Sequence, residues 1–206
     1  MEKEVRFLTE GKLEVRELGE ENKEVHLTGY AITFDSLSEN MGGFREIIDK
    51  DALNNTDLSN VVLCYNHDMS KILARNTKAE GIGSLKLSVD DKGLFFDAVP
   101  TDTSYAKDLL ENMKAGIISK CSFAFTIDNN DPNAQLWEWD NGSKGYDKRT
   151  IRKIHKIYEL SLVISPAYES TSASTYKRAK EIAEEEFRVV KEERELELLK
   201  LELELM

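Results

Sequence analysis

His67, Ser122 and Glu159 are the three residue types from which an activated hydroxyl is built: a base that takes the hydroxyl proton, the hydroxyl itself, and an acid that orients the base. Each lies in or beside an apolar run. His67 closes Val61-Val62-Leu63-Cys64-Tyr65-Asn66 and precedes Asp68. Ser122 sits in Cys121-Ser122-Phe123-Ala124-Phe125, and Glu159 in Ile157-Tyr158-Glu159-Leu160-Ser161-Leu162-Val163. Such a set suggests the acyl-transfer chemistry of a serine hydrolase. Each residue also has an ordinary structural explanation, Ser122 as a polar residue on the solvent side of a sheet and His67 as the cap of a strand.

Strand parity sharpens the choice. Over Lys120–Ile127 it groups Cys121, Phe123, Phe125 and Ile127 on a bulky face and Ser122, Ala124 and Thr126 on a face of small side chains, where a substrate carbonyl could approach the hydroxyl. Cys121 offers a thiol as an alternative nucleophile, but it falls with the phenylalanines. In the last run parity puts His155, Ile157, Glu159, Ser161 and Val163 together, so a carboxylate among mostly apolar neighbours needs a partner, and a histidine would serve. No GxSxG elbow occurs, which disfavours an α/β-hydrolase.

The elements that must carry these residues are mainly strands. Stretches from Val5 to about Phe34 alternate or are apolar, with Gly11 and Gly19 between them, and a polar loop follows from Asp35 to Gly43. Ile47-Ile48 to Leu53 reads as a short connecting or helical piece. Gly83–Val89 and Gly93–Val99 read as a hairpin turned by Asp90-Asp91-Lys92-Gly93. A helix starts at a cap on Asp102 or Thr103, carries Ala106, Leu109, Leu110 and Met113 at helical spacing, and ends at Gly116. Asp128 to about Lys148 is rich in Asn, Asp and Gly and reads as a surface loop, and a last core strand runs from about Ile151 to Ile164. From Tyr176 to Met206 there is no Gly or Pro, so a charged helical tail is expected, though Leu199–Leu205 alternates with period two. The division is therefore 1–173 for the core domain and 174–206 for the tail.

A chain of 206 residues with 40% hydrophobic and 33% charged residues suits one globular core with an appendage. Its net charge of -11 opposes binding to a phosphate backbone, so no nucleic acid is expected as partner. Cys64 and Cys121 both lie in apolar runs, where a free thiol behaves as a small hydrophobe. Three scattered histidines and no CxxC give no metal-ligand spacing, so neither metal nor cofactor is expected. No stretch approaches the roughly 20 apolar residues of a membrane span, nor does the N-terminus look like a signal peptide. The expectation is a cytoplasmic protein.

Three ordered segments carry a resemblance: Asn66-His67-Asp68 with Ile72-Leu73-Ala74-Arg75, then Ser122-Phe123-Ala124-Phe125, then Tyr158-Glu159-Leu160-Ser161-Leu162-Val163-Ile164-Ser165-Pro166-Ala167. Together they resemble the motifs of the prohead proteases of tailed bacteriophages, a family similar in fold to the herpesvirus assemblins, over roughly Gly29 to Ala167. Ala74 and Ala124 stand where glycine is common in that family.

The resemblance implies an α+β domain on a mostly antiparallel, barrel-like sheet with peripheral helices and a C-terminal helical tail. It implies a serine endopeptidase in the immature capsid, within the host cytoplasm, whose substrates are scaffolding protein or the scaffold segment of the major capsid protein, and often itself. By position Ser122 is the nucleophile and His67 the base. Glu159 is the third member, with His155 in reserve because assemblins use a second histidine. Backbone N–H groups near Ser122, or Arg75 holding a water, would stabilise the oxyanion, and activation of assemblins by dimerisation implies a homodimer. The alternative is a non-catalytic capsid assembly or scaffolding protein that works through its tail. A second rival, an esterase or amidase for small molecules, would need a closed apolar pocket.

Overall fold

A computed structural model of the chain describes residues 1–7, 13–18, 24–164, 176–185 and 188. The chain divides into two compact units, Met1–Tyr168 and Glu169–Met206. In the second, residues 176–185 are helical as the absence of breakers predicts, and Lys177 and Glu181 face one another one turn apart at 3.9 Å. The period-two ending falls outside the described residues.

The first unit is built from β1 (Glu4–Phe7), β2 (Glu14–Leu18), β3 (Glu24–Thr33), β4 (Phe44–Ile48), β5 (Val62–Tyr65), β6 (Asp68–Arg75), β7 (Leu85–Asp90), β8 (Gly93–Ala98), helix α1 (Ser104–Lys114), β9 (Lys120–Thr126), β10 (Gln135–Glu138), β11 (Asp147–Ile151) and β12 (Lys156–Val163). They form three open sheets, with strand orders β1-β9-β12-β5-β6, β10-β11-β4 and β2-β3-β8-β7. The expected α+β class and mostly antiparallel pairing are present, whereas the barrel-like closure is not. The outer strands β1 and β6 of the largest sheet do not pair with each other, and β4, β10 and β11 form a sheet of their own. Two pairings, β12 with β5 and β11 with β4, are parallel.

Local chemistry explains most elements. The β7–β8 hairpin turns where Asp90 accepts from the backbone N–H groups of Lys92 at 2.8 Å and Gly93 at 3.1 Å. Gly93 is obligatory there, since a Cβ at this position would lie 1.9 Å from the carbonyl oxygen of Ile32 on β3. Helix α1 starts after an extended Thr103, buries Ala106 and Leu109 against the core, and is followed by Gly116 at φ 74°. Thr103 makes no side-chain capping hydrogen bond.

Three expectations need correction. Ile47 and Ile48 end a strand, Phe44–Ile48, with Phe44, Glu46 and Ile48 all turned inward, so the connecting piece expected over Ile47–Leu53 begins only at residue 49. The polar stretch after Asp128 is not simply a loop, since it holds β10 and the start of β11. The final core strand is two strands, β11 and β12, broken at residues 152–155.

Composition concealed β11 because two of its three inward residues, Asp147 and Arg149, are charged. Glu4 and Arg6 of β1, Glu46 of β4 and Arg149 of β11 are all buried, and Arg149 is wholly so. Arg149 donates to Glu4 at 2.6 and 2.9 Å, to Glu46 at 2.9 Å and to Gln135 at 2.7 Å. Arg6 donates to Glu46 at 2.7 and 3.1 Å and also to Glu4. Two carboxylates and two guanidiniums thus balance in charge and tie the N-terminal strand to the three-stranded sheet. Such a set is costly to break because the remaining partners keep their desolvation penalty.

Arg149→Leu is therefore expected to lose about 3–5 kcal/mol in denaturant unfolding. Acid gives a second check. Burial alone would raise Glu4, but Arg149 and then Arg6 hold it down at about 2. Its stabilisation is thus complete above its ordinary value of 4.5 and is lost as pH falls from there toward 2, so the urea midpoint should drop through that window.

Candidate active site

Three neighbouring strands, β9, β12 and β5, place the residues singled out from the sequence. Cys121, Phe123 and Phe125 point into the core as parity predicts, which leaves Ser122 and Ala124 on the opposite face. Opposite residues in a ladder share a face, and Ser122 pairs with Ser161, which in turn pairs with Cys64. Ala124 and Val62 flank Glu159 in the same way.

Glu159 reaches that face through a bulge. The register passes from Ile157 opposite Phe125 to Glu159 opposite Ala124, with Tyr158 as the extra residue. Simple alternation would have kept Ile157 and Glu159 together. Instead Ile157 joins the core while Glu159 and Ser161 turn to the serine face, correcting the expected grouping. Ser122 and Glu159 become diagonal neighbours, about 7–8 Å apart along the ladder.

His67 does not end a strand but occupies the second position of a two-residue turn between β5 and β6. Tyr65 pairs with Asp68, and Asn66 and His67 take φ values of 51° and 59°. Two successive positive φ values are the geometry of a type I′ hairpin, in which asparagine is favoured first and glycine second. Histidine in the second place accepts a left-handed backbone, and three hydrogen bonds hold it. Asn66 N–H donates to the Leu162 carbonyl at 2.9 Å, His67 N–H to Ser161 Oγ at 2.8 Å, and the His67 ring Nδ1 meets Glu159 Oε1 at 2.7 Å.

The electrostatics assign the tautomer. Burial pushes the Glu159 carboxyl up, but the hydrogen bond from His67 and the charge of Lys3 outweigh it and hold the group below its ordinary value. An ionised carboxylate only accepts, so Nδ1 carries the hydrogen, and in the neutral ring the lone pair lies on Nε2. Ser122 is fully buried, and its Oγ has no hydrogen-bond partner among the described residues. Buried hydroxyls are rarely left so, and a functional site is where such a group is tolerated.

The thiols are poor rivals. Burial pushes Cys121 up to about 12 and Cys64 up to about 11, with the Glu159 charge adding to the latter. Neither supplies a thiolate near neutral pH.

The other residues lie elsewhere. His155 is exposed in the break before β12, beside a cavity of about 360 Å³ lined by Asp51, Asp128, Asp131 and Lys153, and it does not meet His67. Arg75 ends β6, and its Nε donates to Asn60 at 2.9 Å. Two strands separate β6 from β9, so the serine is not its neighbour. His26 makes another histidine–carboxylate pair, with Asp97 at 2.6 Å, but in the four-stranded sheet where Arg16 stands opposite it. Ser161 stood within a recognised segment without a role, and Lys3 carried no signal in the sequence at all.

Residues 11–186 match the caudovirus prohead serine protease family. The chain belongs to that family. The matched span holds His67, Ser122 and Glu159 and continues into the second unit. Among solved structures, the bacteriophage T4 capsid assembly protease is similar over 81% of this chain and 100% of its own, at 13% identity and a TM-score of 0.49. No curated protein matches. Within the matched span His67 and Glu159 are in contact, and Ser122 lies on the strand that pairs with the one carrying Glu159.

The turn itself is testable. His67→Gly and His67→Ala both remove the imidazole, so their difference isolates the left-handed backbone. The glycine variant should be the more stable by about 1 kcal/mol in thermal or urea unfolding. Equal stabilities would mean that the turn is not held in this conformation.

Proposed function

We propose that this chain is a serine endopeptidase of phage prohead maturation, cutting scaffolding protein or the scaffold segment of the major capsid protein, and itself. Ser122 is the nucleophile, His67 the general base and Glu159 the orienting acid. The observation that carries this reading is the 2.7 Å contact of His67 Nδ1 with a buried carboxylate, on the sheet face that holds a buried serine hydroxyl.

In the first step His67 Nε2 takes the Ser122 proton as Oγ bonds to the scissile carbonyl carbon. Glu159 steadies the resulting imidazolium through Nδ1–H. Collapse of the tetrahedral intermediate breaks the C–N bond. The imidazolium gives its proton to the departing amine, and an acyl ester remains on Ser122. A water deprotonated by Nε2 then attacks the ester, and the proton returns to Ser122 Oγ as the new carboxyl terminus leaves. The work takes place within the immature capsid in the host cytoplasm, with a homodimer as the active form.

Ser122→Ala should abolish cleavage of scaffolding protein on gels while the thermal melt stays close to that of the parent, since the phenylalanine face is untouched. Full activity would exclude Ser122 as nucleophile. Glu159→Gln should lower kcat by a factor on the order of 10³–10⁴ without reaching zero. His155→Ala should be nearly silent, and the opposite ranking of these two variants would transfer the third role to His155.

The tail has a separate part in this proposal. Its lack of breakers and its run Glu184-Glu185-Glu186 suit a detachable helix that binds scaffold or capsid partners. A shortened chain ending at Ala173 should fold and cleave yet fail to enter particles when co-assembled with capsid protein. Packaging at the level of the full chain would show that the tail is not the targeting element.

A further inference from the structure

We propose that Lys3 is a positioning residue of the His67–Glu159 pair, an N-terminal cation that keeps the base neutral at lower pH than the carboxylate alone would allow. The inference rests on the assignment of His67 as the base. Its geometric ground is the division of the Glu159 carboxylate: Oε1 takes His67 Nδ1 at 2.7 Å, and Oε2 faces Lys3 Nζ at 3.7 Å. Among the described residues no other lysine or arginine lies within 4 Å of that carboxylate.

Several features bring Lys3 to this place. Val5 of β1 pairs with Ala124, which pairs with Glu159, so one rung crosses three strands. Lys3 lies two residues before Val5, one repeat away on the same face. Glu4 and Arg6 point the other way into the buried charge cluster, which anchors the backbone although the Lys3 side chain is 47% exposed. The bulge residue Tyr158 adds an aromatic platform, with Lys3 Nζ 5.4 Å and Lys156 Nζ 5.5 Å from its ring centroid.

The consequence follows from charge. A carboxylate beside imidazole favours the imidazolium, which cannot take a proton, and a cation on the far oxygen offsets part of that preference. Two other titratable groups near the pair among the described residues are already accounted for. Cys64 is held as a neutral thiol, and Asp68, next to His67, is engaged by Ser70 at 2.6 Å and by Lys71 at 3.3 Å.

The test is a charge series at position 3, read in two ways. In the Ser122→Ala background the titration of the His67 ring is followed by proton NMR. In the active chain the pH profile of kcat/KM is measured with purified scaffolding protein. Lys3→Arg should leave both midpoints in place. Lys3→Gln should move the ring titration and the acid limb of the rate profile upward together by roughly 0.3–0.7 pH unit, a modest shift because Lys3 is half exposed. Lys3→Glu should move them further, with kcat/KM on the plateau within about twofold of the parent. Superposable titrations across the series would overturn the inference, as would an activity loss equal at every pH. If Ser122→Ala itself cleaved scaffold, the assignment of the nucleophile would fail instead, and the NMR series would still decide the role of Lys3.

Discussion

A β-strand cannot put two residues of equal parity on opposite faces unless its ladder slips by one. Strand β12 must do so, because Ile157 is needed in the core beside Phe125 while Glu159 is needed beside the serine strand. The bulge at Tyr158 resolves the conflict at the cost of one unpaired residue. Everything else about the site follows from the restored register: Ser161 comes opposite Ser122, its hydroxyl catches the His67 amide, and Glu159 lies within reach of the imidazole.

The sheet thereby separates two environments by a single strand thickness. One face is apolar, packed by Cys121, Phe123, Phe125, Leu160 and Leu162. The other carries hydroxyls, a carboxylate and an imidazole on a background of small residues. Strands on a rigid core hold such groups more exactly than loops do, and the one site residue that lies in a turn is tied down by β12 on both its backbone and its ring. A strained turn fastened in this way keeps the histidine from leaving the carboxylate that sets its tautomer.

The buried ion cluster plays a complementary part. Its four charges sit behind β1 and join it to the three-stranded sheet, where an apolar strand would have been simpler to bury. Charged partners specify register as well as adhesion, since Glu4 and Arg6 reach Arg149 and Glu46 in one alignment only. That alignment carries Lys3 to the carboxylate of Glu159, so the first residues of the chain meet a group far along it. Membership of the caudovirus prohead serine protease family gives this arrangement its context.

Local pattern alone determined a good deal. The β7–β8 hairpin, helix α1 and the two faces of β9 were all legible, because each depends on neighbours within a few residues or on period two over an unbroken strand. Tertiary structure decided the rest. The bulge at Tyr158 has no local signature, since it arises from competition between two partner strands. The open sheets, the type I′ turn at Asn66-His67 and the strands hidden in the polar stretch after Asp128 depend on pairings between distant segments. Glu4, Arg6, Glu46 and Arg149 read as surface charges until their partners are known, for a charge is buried only where others from remote strands neutralise it. The contacts of Lys3, Ser161 and Glu159 belong to the same class. Which carboxylate or hydroxyl faces a histidine is a question of register, and only the folded ladder answers it.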